Sequence, residues 1–341
     1  MGKVRVSCHH GRARKRTGEA FNPRHNDRTG RSERDKHIDA TRANENVYWT
    51  RYGANVPFDE AELKFYQDTF GESQARKNER YIKSGHAERA RTIEDVLASP
   101  KTAPLESILQ LGKVKNFSKV AELLGSERMA RAAIREIMWN AVIYLTEKMK
   151  PYNRNISLLD IALHADEASI HIHARSVFHC KNERGEEVVC QDKALEKCGF
   201  ELPHPGEKKS RYNNRLMTYS AWIRKQWIEC VREALQAFKE AHQDLEEVFE
   251  YLADLELVPE ESQEHLEKNE YILREQKKEL EEQGRQKEAL KADIKALEEQ
   301  KSKDKRLQKY EKAFLQFIDQ MEADAEAEVE RGRGRSRGRG R

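Results

Sequence analysis

Ten residues, HADEASIHIH at 164–173, carry three histidines and two carboxylates in a chain that is otherwise mostly charged, helix-prone sequence. Successive side chains on a strand point to opposite faces, so His171 and His173 share one side while Ile170 and Ile172 take the other. The preceding stretch, ISLLDIALH (156–164), alternates as well. Leu159, Ile161 and Leu163 make an apolar face, leaving His164 on the polar side with Asp160 and Ala162. A hairpin closing through 165–169 then sets His164 across from His171. Three imidazoles converge on one sheet face, with Asp166 and Glu167 on the turn. A lone His-x-His pair would be read as polar surface. A third histidine in register favours metal binding, and three neutral imidazoles with an open position are the donor set of a catalytic ion rather than a structural one. Such a metal keeps its positive charge, which suits polarising a phosphoryl oxygen, and Glu167 would complete the shell or orient a ligand histidine. A hydrolytic zinc site and an iron oxygenase site stay open, although the oxygenase triad uses two histidines and one carboxylate.

The elements around this hairpin follow from periodicity. KVRVS (3–7) and VYWTRY (47–52) alternate as short strands, and LESILQLG (105–112) reads as another. FDEAELKFYQDTF opens a helical region that continues to about Leu97, with Asp59 as its N-cap after Pro57. Residues 117–149 read as two helices, stopped by Pro151, and a further helix covers 213–242 after a loop containing LPHPG. Leu266, Leu273, Leu280 and Ile294 fall at multiples of seven, and Leu307, Tyr310, Phe314, Phe317 and Met321 follow at 3-4-3-4 spacing. This is the seam of a coiled coil, through which the chain forms a homodimer, or the apolar face of a helix docked on the domain. The expected fold class is α+β: an antiparallel sheet with flanking helices over 1–240, a linker or helix over 241–261, a coiled-coil arm over 262–325 and a disordered Arg/Gly tail over 326–341.

The net charge of +3 conceals an asymmetry. Residues 1–51 hold 13 Lys/Arg against 6 Asp/Glu, and the final RGRGRSRGRGR adds six arginines, whereas 243–330 hold 27 acids against 14 bases. Basic ends on an acidic rod point to a polyanion, nucleic acid first. Arg12, Arg14, Lys15, Arg16, Arg24, Arg28, Arg31 and Arg34 form a basic arm whose phosphate binding would depend on salt. No apolar run reaches the ~20 residues of a membrane span, and the N-terminus lacks the apolar stretch of a signal peptide. Five irregularly spaced cysteines read as reduced thiols, so a cytoplasmic location is expected.

HADEASIHIH resembles the His-x-Asp-Glu…Pro-His-x-His signature of the MobV (Pre/Mob) plasmid mobilisation relaxases, which belong to the HUH endonucleases. RHNDR (24–28) and HIDATRANENVYW (37–49) resemble the first motif of the same family, and QWIECVREAL (226–235) fits its helix after the metal strands. The resemblance covers about residues 1–240. Ile170 departs from it, standing where the family usually has proline. The resemblance implies an HUH relaxase domain that nicks plasmid DNA at an origin of transfer, using Mn²⁺ or Mg²⁺ held by His164, His171 and His173. It implies His25 as a nucleophile that stays attached to the 5′ phosphate, Glu167 as a catalytic partner, and Arg24, Asn26, Arg28, Arg42 and Asn46 on the DNA. Conjugative transfer machinery would be a further partner. From the residues alone the nucleophile is open. A neutral imidazole is available near pH 7, and Tyr48 and Tyr52 compete if a metal or base activates a phenol whose pKa is about 10. A rolling-circle replication initiator and a non-catalytic DNA-binding scaffold are the other readings of the chain.

Overall fold

The computed structural model describes residues 3–12, 20–30, 38–53, 55–210, 213–257, 284–288 and 290–291. The chain divides into a unit Met1–Glu260 and a unit Glu261–Arg341. In the first unit the elements are β1 (Val4–Gly11), α1 (Pro23–Asn26), β2 (Val47–Thr50), α2 (Phe58–Lys83), α3 (Ile93–Ala98), β3 (Leu105–Leu111), α4 (Val114–Leu124), α5 (Glu127–Met149), β4 (Ile156–His164), β5 (His171–Lys181), β6 (Glu187–Val189), α6 (Gln191–Lys197), α7 (Arg215–Ala241), α8 (Glu246–Ala253) and β7 (Leu255–Leu257). In the second unit, 284–288 and 290–291 are helical. The rest of the heptad seam and the Arg/Gly tail lie outside the described residues. No described helix is long and apolar enough to cross a membrane.

The fold is α+β, as the strand and helix patterns require. The sheet runs β2-β4-β5-β3-β1-β7, with β6 added to β5. Every pairing is antiparallel except β1 with β7. That exception moves the expected boundary. Val4 pairs with Leu255 and Val6 with Leu257, while Val248 and Leu252 of α8 are buried, so the segment expected as a linker or helix holds a helix and then a strand that completes the sheet. The cause is chemical: Leu252, Leu255 and Leu257 are apolar residues that need a neighbour, and the open side of β1 supplies one.

One face of the sheet packs on α5 and α7 through Leu109, Ile161, Leu163, Ile172 and Phe178 against Ile137, Met138, Ile223 and Trp227. The other face meets α2, where Phe65, Tyr66 and Phe70 cluster with Leu159 and Val177. Leu159 was expected beside Ile161. A bulge between Leu158 and Asp160 inserts one residue and turns Leu159 to the opposite side. The start of α2 differs too. Its cap position is Pro57, and the Phe58 N–H donates instead to the Asp27 carboxylate at 2.8 Å, across 31 residues. The helical stretch to Leu97 breaks at Ser84–Gly85, where Gly85 adopts φ +77°. The expectation of five free thiols is also corrected. The β5–β6 hairpin brings Cys180 and Cys190 to a Cα separation of 6.3 Å, and they are paired as a disulfide.

Candidate metal and nucleophile centre

His164 stands directly across from His171, and Ala162 across from His173. Strand alternation therefore places the three rings together on the α2-side face, with centroids 4.8–5.2 Å apart. One nitrogen of each ring is already engaged, and its partner fixes the tautomer. His164 Nε2 donates to the Asn26 carbonyl at 2.7 Å, and His171 Nδ1 donates to the Ser169 carbonyl at 2.9 Å. His173 Nδ1 donates to the Glu106 carboxylate at 3.0 Å. The opposite nitrogens carry the lone pairs, and a set of ligand atoms, one from each ring, lies within 4.8 Å of one another. His164 Nδ1 is buried with no hydrogen-bond partner among the described residues. Orphaned buried acceptors of this kind are rare, and three neutral imidazoles locked from behind are a donor set a divalent cation fits.

Electrostatics disfavour the charged form of two of the rings. Burial, then the charges of His173, Arg28 and His171, hold His164 far below the usual histidine range. Burial and the His173 charge lower His171 as well. Glu167 lies between these two, its oxygens 3.7 Å from His164 Nδ1 and 3.9 Å from His171 Nε2. Both distances exceed a hydrogen bond, so this carboxylate leaves the lone pairs unspent. It is held by Arg28, whose Nη2 donates to it at 2.8 Å.

Arg28 occupies the left-handed region, at φ +62°, which an arginine adopts at a cost. Its side chain is only 7% exposed and grips Asp166 in two bonds, at 3.0 and 2.6 Å. Burial opposes the Asp166 charge, but Arg28 and Asn46 hold its carboxyl below the usual range. Asn46 donates to Asp166 at 2.8 Å and accepts from the Ala165 and Asp166 N–H groups. From α5, Arg131 reaches the carbonyls of Ala165 and Glu167. The turn between the metal strands is thus clamped from two sides.

The residues read as DNA contacts separate into different kinds. Asn26 is 1% exposed, its carbonyl held by His164 and its amide bound to Glu106 at 3.0 Å. Asn26, Arg28 and Asn46 shape the site from inside. Arg24 is exposed on α1 and faces Asp59 at 3.7 Å, while Arg42 pairs with Asp39 at 2.9 Å. Arg14, Lys15, Arg16, Arg31, Arg34 and His37 lie outside the described residues. His25, on α1 beside Asn26, puts its ring 6.3 Å from His164 and 6.5 Å from His173. The Tyr48 hydroxyl accepts from Asn46 at 2.9 Å, and burial raises its pKa. Tyr52 donates to Asp68 on α2 and is turned away from the rings.

Four residues packed around the site were not anticipated as part of it. Glu106 accepts from His173, Asn26 and Arg175, and Arg175 also bonds Glu62 at 2.5 Å. Burial works against the Glu106 charge, but His173, Arg175 and Asn26 pull it down to about 2. Asp160 sits fully buried beside them. Burial, then the Glu62 charge, raise its carboxyl well above the normal range. The signals were present: Glu106 is the lone charge in LESILQL, and Arg175 follows His173 at strand period.

No protein-family model matches the sequence, and no curated protein does. Two solved structures similar to it are the Mn-bound MobM relaxase domain (MOBV; Mob_Pre) on plasmid pMV158 oriT DNA. One, at pH 6.8 with a 22-nucleotide 3′-thiophosphate strand, has TM-score 0.32 and 15% identity, and the match covers 60% of this chain and 95% of that one. The other, at pH 5.5, has TM-score 0.31 and 14% identity over 64% and 98%. Both belong to the group that the two sequence motifs resemble, the MobV relaxases.

Proposed function

We propose that this protein is a plasmid mobilisation relaxase that nicks one strand of DNA at an origin of transfer and holds the cut end covalently. The observation that carries the reading is the placement of the His25 ring beside three histidines whose inner nitrogens are occupied and whose outer lone pairs converge. His164, His171 and His173 would hold the cation, Mn²⁺ or Mg²⁺. When bound, it supplies a positive charge that draws electron density from a phosphate oxygen and makes phosphorus a better electrophile.

The chain's own groups do the rest. A neutral His25 nitrogen attacks phosphorus, forming an N–P bond as the P–O3′ bond breaks. The departing oxygen takes a proton and becomes a free 3′-OH, and the 5′ phosphate stays on the protein. The phosphodiester's energy is kept in the new bond, so the strand can be rejoined after transfer. Asn26 positions α1 by binding His164 through its carbonyl and Glu106 through its amide. Glu167, held by Arg28, faces the two ligand nitrogens and adds negative charge there.

The test uses an origin oligonucleotide with Mn²⁺ or Mg²⁺, read by mass spectrometry of the adduct. The expected product is a phosphoramidate on His25 with a 3′-OH on the released strand. His25→Ala should abolish the adduct, and His171→Ala should abolish nicking of supercoiled plasmid. An adduct on Tyr48 would reassign the nucleophile, and undiminished nicking by His171→Ala would remove the metal assignment.

A further inference from the structure

On the sheet face opposite the histidines, a cleft of about 390 Å³ opens between the strands and α5. The register makes its floor. Trp49 pairs with Ile161, Ile161 with Ala174 and Ala174 with Ser107, one row across β2, β4, β5 and β3, and all four residues line the cleft. The small side chains of Ala174, Ser107 and Ser176 leave space that larger ones would fill. Trp139, Ile143 and Thr146 of α5 form the roof. The volume lies in the range of ligand pockets, about 300–1,000 Å³.

The chemistry of the lining is specific. Two indoles face the space, and Trp49, on the edge strand β2, is 39% exposed. Among the described residues no carboxylate lines it, and two cations do, Arg51 and Lys150. Lys150 pairs with Glu147 at 2.5 Å. Arg51 is anchored differently: its Nε donates to the Leu158 carbonyl at 3.1 Å and its guanidinium lies over the Phe65 ring at 5.2 Å. Its two Nη groups make no hydrogen bond among the described residues, and Arg51 is part of the cleft lining. An apolar wall alone would suit a partner protein's side chain as well. Arg51, unlike Lys150, has no carboxylate partner among the described residues, which favours a polyanion, and exposed indole beside arginine is the pairing that holds unpaired bases.

We propose that this cleft is a nucleotide subsite: one base of a single DNA strand stacks on Trp49 and the adjoining phosphate binds Arg51. The proposal rests on the DNA-nicking reading above. β2 gives the path. Tyr48, the neighbour of Trp49, accepts a hydrogen bond from Asn46, which holds the metal-strand turn, so a strand leaving that face needs only to round the sheet edge. The subsite would hold the strand outside the reacting phosphate and fix which nucleotides reach it.

The experiment measures affinity of the full chain for an origin oligonucleotide and for versions carrying one abasic position each. Trp49→Ala, with its melting temperature checked, should bind the intact strand about tenfold more weakly. One abasic position should weaken binding to the wild type and leave Trp49→Ala unaffected, and Arg51→Ala should reduce the salt slope by about one contact. Binding equal to wild type in Trp49→Ala and Arg51→Ala, with nicking intact, overturns the subsite alone. Weaker binding with no abasic position coupled to Trp49 overturns base stacking in favour of a shape effect. A wild type that binds no single strand overturns the DNA reading and the subsite together.

Discussion

Single residues decide whether this site can hold a cation. Glu106 is the joint of the arrangement, because one carboxylate reads a candidate ligand histidine, the neighbour of the candidate nucleophile and a buried arginine. Glu106→Gln keeps the shape and removes the charge. Metal affinity, followed by calorimetry, should fall 10–100-fold while the fold persists; unchanged affinity would mean His173 is oriented by packing alone. A second prediction concerns acid. Burial, then the positive Arg224 and His9, push His10 down to about 3, and His10 bonds Ser107 at 2.8 Å. The unfolded chain takes up a proton near pH 6.5 while the folded one does not. Stability therefore falls as pH drops below about 6.5 and continues to fall towards 3. Between pH 7 and 5 one such ring costs about 2 kcal/mol. Urea midpoints without metal should show His10→Gln less acid-sensitive than wild type. The triad itself was legible, since strand alternation needs only a few neighbouring letters. Its lock was not: Asn26 meets Glu106 across 80 residues, and no local period encodes that meeting.

Elements show the same division between short and long range. The strands at 105–111, 156–164 and 171–181 were readable from alternation, and α5 and α7 from their helical period. The bulge at Leu158–Asp160 was not readable, because it depends on how β4 pairs rather than on its own residues. The beginning of α2 is another case. Sequence proximity nominated Asp59, yet the carboxylate that reaches the Phe58 N–H comes from Asp27, two residues past His25. The short helix α1, which carries the candidate nucleophile, is thereby tied through its C-terminal cap residue to α2. Asp27→Ala should lower stability by about 1 kcal/mol, the usual value of a lost N-cap, and slow nicking as well. A thermal shift without any kinetic change would make the tie structural only.

For the whole molecule, the expectation from sequence placed the end of the domain at 240, where the long helix finishes. The sheet disagrees, because β1 gains its outer partner from Leu255–Leu257. A fragment ending at 240 leaves Val4 and Val6 on an open edge and removes buried Val248 and Leu252. It should be less stable than a fragment ending at 260 by about 2–5 kcal/mol and aggregate through that edge. Equal melting temperatures for the two fragments would show that β7 is dispensable. The boundary was hidden because a three-residue strand carries almost no periodicity, and only the open side of β1 gives it meaning.

That parallel pair also sets a timetable. A chain made from its N-terminus releases Val4 some 250 residues before Leu255. At ribosomal speeds of about 5–20 residues per second, β1 waits on the order of ten seconds or more with one side unguarded. The earliest of the described strands is therefore the last to be sealed.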